Sequence, residues 1–535
     1  MDKKVMLLLL LVLLLAVLYG STESARYGDA PVYANEILLS QVIEPGHLLW
    51  RPFATVIAHA VGLMGSRSQV LWVLEALSLV CALLTAVMLY IVAHRFLSAA
   101  TSLFVAALAS LANGFWSYAF SGCSYSLSVL LLTLALYVAL RVANRDEQRA
   151  WGVFLVGVCG GLAALAWAIQ LIAGPALLAL VLRSGRPARG APEIIARSGW
   201  LGAGYALSFA TPSLMLYALS GSISSGAYVP PGPSGMTFVG WLASADHGVD
   251  AHSDLAQLLR AAIGWAQSFV SIGDLGQDLR LWLYKEMPFP LSASLATLAA
   301  FYVAMAAAIL MLARHFAKFD AMQRAVVVAA VVATVTNLLF GFLWQGTDLE
   351  RYFPSLPFQA LAFGLVVERW RARAPRTALP AAAAILMLTS TVTWITGFHD
   401  VLRPNSPRQV WNHALASQCL GTDVVIVLGN RKFGLGEPHN PNFPTVLNVS
   451  MLVVTQGDRW RIPIVQALAT ARRRNGRVLL GDSVLRTDPA PRDGWSFTQH
   501  PHPSATEISN YFRTLRPSQP AFAVDGERLW LAQAP

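Results

Sequence analysis

Two acidic side chains stand seven positions apart in the segment that follows the first apolar block of the chain. Asp29 and Glu36 are two helical turns apart in sequence, so both carboxylates can lie on one side of a helix. Pro31 suits the first turn of that helix, and Asp29 or Ala30 suits its N-cap. A deprotonated carboxylate near an acceptor hydroxyl is what a general base requires. The segment is therefore a candidate site for acid–base chemistry, although an N-cap and a solvated polar face explain the same residues.

A basic and aromatic stretch follows the two acids, after a break at Gly46. It contains His47 and Arg51, with Trp50 directly before the arginine. Aromatic and basic side chains are typical of the membrane–water interface, and guanidinium groups bind phosphate in a forked geometry. The helix before them carries an apolar stripe, which predicts an amphipathic helix lying on the outer membrane surface.

The elements that must position these groups are apolar along most of the chain. Of its 535 residues, 55% are hydrophobic and 13% are charged, whereas soluble proteins carry about 25% charged residues. This composition predicts a polytopic α-helical membrane protein, and it excludes a cytosolic enzyme, a disordered scaffold and a nucleic-acid-binding module. The net charge of +10 comes mainly from arginines between apolar blocks, so it reports membrane topology.

The apolar blocks define about eleven candidate membrane spans. They fall at residues 6–19, 69–93, 97–112, 123–140, 151–165, 168–182, 199–219, 291–313, 323–343, 353–367 and 378–396. Lysine and arginine are in excess in the short loops on the side of Lys3 and Lys4. The positive-inside rule therefore predicts a cytoplasmic N-terminus, with the long loops 20–68 and 220–290 outside. A cleavable signal peptide is an alternative reading of the first block, and it leaves residues 20–68 outside as well.

The chain changes character after the last apolar block. Strand-like runs at 424–428, 446–455 and 478–480 and a helical pattern at 464–474 predict a small α/β domain over residues 398–535. The transmembrane domain then covers residues 1–397. The four cysteines form no CxxC pair, so we predict neither a disulfide framework nor a zinc site. Because an arginine- and alanine-rich composition is typical of GC-rich bacterial genomes, we expect the bacterial inner membrane, with the C-terminal domain in the periplasm.

Three stretches resemble segments of the GT-C superfamily of membrane glycosyltransferases, which includes protein O-mannosyltransferases and the aminoarabinose transferase of lipid A. GDAPVYANE followed by PGHLLWRP, within residues 28–52, is similar to the first outer loop of the bacterial branch. Residues 115–141 resemble its Phe-Trp-Ser segment and the leucine-rich span after it, except that Cys123 and Ser124 replace a common glutamate. Residues 348–358 resemble a Glu-Arg-Tyr-x-x-Pro step at the outer start of a late span.

The resemblance implies a GT-C-like fold and transfer of a sugar from a polyprenyl-phosphate donor to an extracytoplasmic glycan, lipid or protein. Asp29 would be the general base of an inverting reaction, with Glu36 as a second carboxylate. Arg351, and after it Arg51, would stabilise the phosphate leaving group. Tyr352 and His47 would hydrogen-bond the phosphate or the sugar; they complete the site that the resemblance implies. Some members of the superfamily use a divalent cation and others do not, so a metal ion stays an open alternative.

Other functions fit a polytopic membrane protein of this length. A transporter or flippase of a lipid-linked or small substrate is the main alternative, and an O-antigen ligase or polymerase is a third. Transporters often contain inverted repeats, and this sequence shows no convincing repeat, which favours the enzyme. Glu75 lies inside a predicted span and is a further functional candidate, although pairing with Arg67 would also explain it.

Overall fold

The computed structural model describes most of the chain, in blocks separated by gaps. The described residues are 3–21, 30–38, 46–143, 150–183, 190–215, 254–271, 293–343, 349–394, 407–428, 443–449, 452, 460–487, 503–524 and 527–532. Asp29, the side chain of Glu36 and most of the loop 220–290 lie outside the described part. The described residues form two compact units. The first unit contains the described residues within 1–65, 72–224 and 249–398. The second unit contains residues 66–71 and the described residues within 399–535.

Helices make up the first unit, as expected for a chain that must satisfy its backbone hydrogen bonds internally in lipid. They are α1 (Lys3–Ser21), α2 (Ala30–Leu38), α3 (Trp50–Ala60), α4 (Arg67–Ala93), α5 (Ala99–Ser110), α6 (Asn113–Ala119), α7 (Tyr125–Ala143), α8 (Ala150–Ala166), α9 (Gly174–Arg183), α10 (Ala191–Tyr205), α11 (Asp254–Phe269), α12 (Ala293–His315), α13 (Ala321–Leu343), α14 (Leu356–Arg373) and α15 (Ala378–Thr393). A 3₁₀ turn, Ala168–Ala173, precedes α9, and another, Leu349–Tyr352, precedes α14.

Among the described residues, five helices are long and apolar enough to cross a membrane, namely α1, α4, α7, α12 and α13. Helices α5 and α6 pass the same test as a pair, but they are bent by 70° at their junction. Every predicted span overlaps a helix, and the chain is a largely helical membrane protein. The span number of eleven stays a prediction.

Close helix packing in the first unit depends on glycine. A Cβ on Gly157 of α8 would overlap the carbonyl oxygen of Leu201 in α10, and a Cβ on Gly204 would overlap the carbonyl oxygen of Phe154. The two helix backbones therefore touch, as small residues permit in membrane proteins.

The second unit contains a mixed sheet. Its elements are α16 (Pro407–Gln418), β1 (Val424–Val427), β2 (Thr445–Asn448), α17 (Arg461–Arg473), β3 (Val478–Gly481), α18 (Asp482–Leu485), α19 (Ala505–Arg513), β4 (Pro517–Val524) and β5 (Glu527–Ala532). The strand order is β2-β1-β3-β5-β4. Strand β1 is parallel to β2 and β3, whereas β5 is antiparallel to β3 and β4.

Both faces of the sheet are covered, so β1 and β3 are buried along their whole length. Trp460, Ile464 and Phe512 pack on one face, and Trp411 and Leu415 pack on the other. Strand β2 ends at Asn448, and the described residues Val449 and Leu452 are helical, so this strand is shorter than predicted. The assignment of residues 398–535 to a separate extracytoplasmic domain stays a prediction.

Candidate functional site

The stretch before α3 is held in place by its backbone. The carbonyl oxygen of Gly46 accepts a hydrogen bond from the Ala168 N–H, and the Leu49 N–H donates to the Leu165 carbonyl oxygen, each at 3.0 Å. These two bonds bracket His47 and fix it against the end of α8. The side chain of His47 is buried.

The imidazole of His47 has a side-chain hydrogen bond and aromatic neighbours. Its Nδ1 lies 2.6 Å from the Ser124 Oγ, and which atom donates depends on the ring tautomer. The rings of Tyr33 and Tyr125 lie 5.9 and 6.0 Å from the imidazole, between centroids. Because Ser124 is completely buried, this bond is shielded from water and orients the imidazole.

Arg51 is also buried, in the first turn of α3. Its Cζ lies 4.7 Å from the centroid of the Tyr33 ring, which is a cation–π distance. Tyr33 belongs to α2 and contacts both Arg51 and His47, so one aromatic ring joins the two candidate residues.

The Glu-Arg-Tyr stretch at residues 350–352 lies in the 3₁₀ turn Leu349–Tyr352, called the late turn below. The Arg351 Nη2 lies 3.8 Å from the Glu350 Oε1, and the Tyr118 hydroxyl donates to the Glu350 Oε2 at 3.0 Å. The Asn337 side-chain amide donates to the Arg351 carbonyl oxygen at 2.5 Å. The two charged side chains are only 13% and 12% exposed. Their positions are therefore set by contacts from α6 and α13.

Tyr352 anchors the same turn. Its hydroxyl donates to the carbonyl oxygen of Ala261 in α11 at 2.7 Å, and its side chain is buried. A Cβ on Gly341 would meet this hydroxyl at 2.5 Å, so α13 also packs closely against it. The predicted contact of Tyr352 with a substrate stays a prediction.

Aromatic rings connect the two halves of the candidate site. The Tyr118 ring lies 4.8 Å from Tyr125 and 5.8 Å from Phe353. Since Tyr125 also contacts His47, a continuous series of contacts runs from Arg51 through the rings to Glu350 and Arg351. The segment before α3 and the late turn, which the sequence could only treat separately, thus belong to one cluster of charged and aromatic side chains.

The start of α2 lies at the same cluster. Asp29 is outside the described residues, but Ala30 after it is described and completely buried. Gly122 has a φ of +76°, and a Cβ there would lie 2.8 Å from the Ala30 Cβ, so only glycine suits this position. The Trp50 indole N–H donates to the Gly122 carbonyl oxygen at 3.0 Å. Gly122 stands two residues before Ser124, the partner of the imidazole.

Glu75 adds a buried acid to this region. It lies in α4 and is completely buried. Its backbone nitrogen is 3.4 Å from the position that a Cβ on Gly122 would take. Because acids inside membrane proteins are often functional, Glu75 stays a candidate beside the start of α2.

Metal binding has no support from the described donors. In the ranges that the structure describes, no three His, Cys, Asp or Glu side chains come together as metal ligands. Glu350 is balanced by the guanidinium of Arg351 rather than placed among other carboxylates. Asp29 and the side chain of Glu36 belong to the undescribed part, so a divalent cation stays an open alternative.

Sequence reasoning missed several groups that build the site. These are Tyr118, Ser124, Tyr125 and Glu350. Glu350 stands directly before Arg351, and an acid beside a predicted phosphate ligand was a readable signal. The other three lie in a stretch noticed only for its resemblance, and no local spacing links them to His47 or Arg351.

Comparisons with known proteins identify the fold. No family model and no curated protein matches the chain. Among solved structures, ArnT from Cupriavidus metallidurans bound to undecaprenyl phosphate superimposes with a TM-score of 0.54 at 12% identity, covering 98% of this chain and 97% of that one.

Two further matches have lower TM-scores. The oligosaccharyltransferase AglB from Archaeoglobus fulgidus gives 0.47 at 12% identity, covering 90% of this chain and 70% of that one. The arabinofuranosyltransferase AftD from Mycobacteria gives 0.39 at 13% identity, covering 99% and 41%. The match over nearly the full length of both chains shows that this chain shares the fold of ArnT, which confirms the resemblance at the level of fold.

Proposed function

We propose that the protein is a membrane glycosyltransferase that moves a hexose or pentose from a polyprenyl-phosphate donor to an extracytoplasmic glycan, lipid or protein. The observation that carries the proposal is the connected cluster of Arg51, His47, Glu350 and Arg351, which joins the first outer loop to the late turn. The fold shared with ArnT, whose solved structure holds undecaprenyl phosphate, supports a lipid-phosphate donor.

The proposed reaction is a single displacement. Asp29 takes the proton of the acceptor hydroxyl or amine, and the acceptor attacks the anomeric carbon opposite the phosphate. The bond between that carbon and the phosphate oxygen breaks, and its electron pair leaves with the polyprenyl phosphate. The configuration at the anomeric carbon is therefore inverted. Glu36, two turns further along α2, is the second proposed catalytic carboxylate.

Negative charge grows on the phosphate as the sugar leaves, and nearby guanidinium groups would stabilise it. Arg351 and Arg51 are the proposed phosphate ligands, because guanidinium groups bind phosphate oxygens in pairs of hydrogen bonds. His47 and Tyr352 are proposed to hydrogen-bond the phosphate or the sugar. Glu350 and Tyr118 hold Arg351 before the donor arrives, which reduces the reorganisation needed during the reaction.

The proposal is tested by release of the lipid phosphate. Purified protein in lipid nanodiscs is incubated with polyprenyl-phosphate pentoses and hexoses and with envelope extract as acceptor. We expect polyprenyl phosphate to accumulate only when acceptor is present. Asp29→Asn should abolish release, and Arg351→Ala should lower it about 100-fold, as for loss of a stabiliser of transition-state charge.

Arg376→Ala is the matched control, because Arg376 is an exposed arginine in the turn between α14 and α15. Its release rate should equal that of the wild type. Undiminished release in Asp29→Asn would show that Asp29 is not the general base. Movement of a lipid-linked substrate across liposomes without release, persisting in Asp29→Asn, would establish a transporter instead.

The membrane orientation belongs to the same proposal. We propose that the N-terminus is cytoplasmic, and that residues 398–535 form a domain on the outer side of a bacterial inner membrane. The first outer loop then meets the lipid-linked donor on the side where the acceptor is found.

A further inference from the structure

The turn between α12 and α13, at residues 316–320, joins two helices of membrane-spanning length. Both helices are long and apolar enough to cross a membrane, so we expect the turn at a membrane surface. Asn337, which holds the late turn from α13, is about 24 Å from Ala321 at the start of that helix, measured along the helix axis. This distance approaches the ~30 Å thickness of the hydrocarbon core, so the turn lies at the surface opposite the late turn.

Hydrogen bonds from α14 join three helix ends at this surface. The Arg369 Nη2 donates to the Lys318 carbonyl oxygen at 3.0 Å and to the Gln323 Oε1 at 3.2 Å. One turn further along α14, the Arg373 guanidinium donates to the His315 Nε2. The last turns of α14 are therefore fixed both to the end of α12 and to the start of α13.

The imidazole in this contact is neutral. The His315 Nδ1 lies 2.8 Å from the Met311 carbonyl oxygen, which can only accept, so Nδ1 carries a proton. A guanidinium can only donate, so Nε2 accepts from Arg373 and carries no proton. The contact orients Arg373 without adding a second charge to it or neutralising its own.

Positive charge is concentrated at these helix ends. Four exposed basic side chains and one that is partly buried form the basic cluster, namely Arg314, Lys318, Arg324, Arg373 and Arg369. None of the five forms an ion pair within the part of the chain that the structure describes. The acid of the turn, Asp320, accepts from the Gln323 N–H at 2.8 Å at the start of α13. Because like charges repel, an anion from outside the chain would stabilise the basic cluster.

Exposed apolar side chains lie next to two of these arginines on the same helices. Leu310 is exposed and precedes Arg314 by four positions, so it lies one turn away on the same side of α12. Val331 is exposed and follows Arg324 by seven positions, so it lies two turns away on the same side of α13. A phospholipid has the matching layout, because its acyl chains can lie along the apolar side of a span while its phosphate meets the arginine at the end.

We infer that the basic cluster binds the headgroup phosphate of an anionic phospholipid, at the membrane surface opposite the late turn. Guanidinium and ammonium groups donate hydrogen bonds to phosphate oxygens, and five cations attract a net negative headgroup. A zwitterionic phospholipid offers the same phosphate together with a cation that the cluster repels, so the lipid's net charge decides between them. The inference does not depend on the proposed reaction.

The test measures lipid binding by native mass spectrometry of the full-length protein in detergent, titrated with phosphatidylglycerol or phosphatidylcholine. We expect the wild type to bind phosphatidylglycerol at least tenfold more tightly. The combined variant Arg314→Gln, Lys318→Gln and Arg324→Gln should weaken that binding about 100-fold, because each basic residue near an anionic headgroup contributes about fivefold. These three side chains make no hydrogen bond to the described residues, so the melting temperature without lipid should stay unchanged.

The matched control combines Lys4→Gln, Arg141→Gln and Arg183→Gln, which removes three exposed charges from the start of α1 and from the last turns of α7 and α9. Its affinity for phosphatidylglycerol should equal that of the wild type. Equal binding of the two lipids by the wild type, or equal losses in the two triple variants, would overturn the inference. Inorganic phosphate at the concentration of the lipid should not displace it, and displacement would mean that the basic cluster binds a soluble phosphate instead.

Discussion

The hydrogen bond between His47 Nδ1 and Ser124 Oγ, 2.6 Å long and buried, sets the orientation of the imidazole. Ser124→Ala removes it and leaves the fold around His47 intact. A neutral hydrogen bond contributes about 1 kcal/mol, so we expect the kcat/KM of lipid-phosphate release to fall about fivefold. Ser124→Thr keeps the hydroxyl and should recover most of the loss.

Ser126→Ala is the control for this prediction. The Ser126 hydroxyl is buried two residues further along the chain, but it contacts the Ser78 hydroxyl at 3.3 Å instead of the imidazole. A loss in Ser126→Ala equal to that in Ser124→Ala would mean that any buried hydroxyl of this region has the same effect, and the positioning role would be wrong.

The pair Glu350–Arg351 gives a second prediction at the residue scale. Glu350→Gln can still accept from Tyr118, but it removes the charge beside Arg351. Charge-assisted contacts are roughly twice as strong as neutral ones, so we expect a loss of about tenfold or more in kcat/KM for the donor. Tyr118→Phe keeps the charges and the ring packing and should lose about fivefold. The reverse order of the two losses would contradict the role given to Glu350.

The types of these residues were readable from the sequence, and their partners were not. His47, Arg51 and Arg351 were predicted because imidazole and guanidinium groups suit phosphate chemistry. Ser124 lies 77 residues from His47, and Glu350 lies 232 residues from Tyr118. Helical periodicity relates positions only a few residues apart. Contacts over such distances depend on how the helices pack, which one sequence does not state.

At the scale of the elements, α8 and α10 depend on glycine at their contact. A methyl group on Gly157 would overlap the Leu201 carbonyl oxygen, which is backbone and cannot rotate away. Gly157→Ala should therefore lower the free energy of unfolding by about 1–3 kcal/mol, seen as a lower melting temperature of the purified protein. Gly199→Ala in α10 is the control, because no atom lies within 4 Å of its added methyl group. Since alanine by itself favours a helix over glycine, a similar loss in both variants would mean that the overlap with Leu201 is not its cause.

The bend between α5 and α6 is a feature that the hydropathy of the sequence does not predict. The predicted span 97–112 covers α5, but the chain turns by 70° and continues as α6. The Asn113 side chain at the start of α6 donates to the carbonyl oxygen of Gln267 in α11 at 2.7 Å. This tertiary contact holds the short helix that carries Tyr118, and nothing in the local apolar pattern predicts it.

Asp423 ties the elements of the second unit together. It accepts from the backbone N–H groups of Leu420 and Arg477 and from the Arg477 guanidinium, at 2.7 to 2.8 Å. Burial favours the neutral acid, but these hydrogen bonds outweigh it and hold the pKa of Asp423 below its usual value of 3.8. The unfolded chain therefore takes up this proton at a higher pH than the folded chain does.

The stabilisation by Asp423 is consequently present above pH 4 and is lost as pH falls through the lowered pKa. Asp423→Asn should remove about 2 kcal/mol at pH 7, because hydrogen bonds to a charged group are lost. Hydrogen–deuterium exchange of β1 and β3 in the full-length protein measures this loss, and the difference from the wild type should shrink below pH 4. A difference that is independent of pH would rule out the charge as its cause.

At the scale of the whole molecule, the sequence predicted the apolar helices and the inner strands β1 and β3 better than the edge strand β4. Strands β1 and β3 are continuous runs of buried aliphatic residues, which local composition reveals. Strand β4 contains Pro517 and Pro520 and only its last residue is buried, so its pattern does not indicate a strand. It forms because it lies at the end of the strand order, where prolines without N–H groups are tolerated.

Membrane orientation is the prediction that involves the whole chain. The native thiols Cys81, Cys123 and Cys419 are buried, and burial raises the pKa of Cys419 to about 12, so they should react slowly with maleimides. Cys159 is only partly buried, so replacing it by serine lowers the background reaction with maleimide in single-cysteine labelling.

In that background, Arg376→Cys and Ser518→Cys introduce thiols at two exposed positions, one in the turn after α14 and one in β4. The excess of arginine and lysine in the short loops predicts that position 376 is cytoplasmic, and the proposed orientation puts position 518 outside. A membrane-impermeant maleimide should therefore label Ser518→Cys in intact spheroplasts, and Arg376→Cys only after permeabilisation. The opposite pattern would put the segment around Asp29 in the cytoplasm, away from an extracytoplasmic acceptor, and the proposed reaction would fail with it.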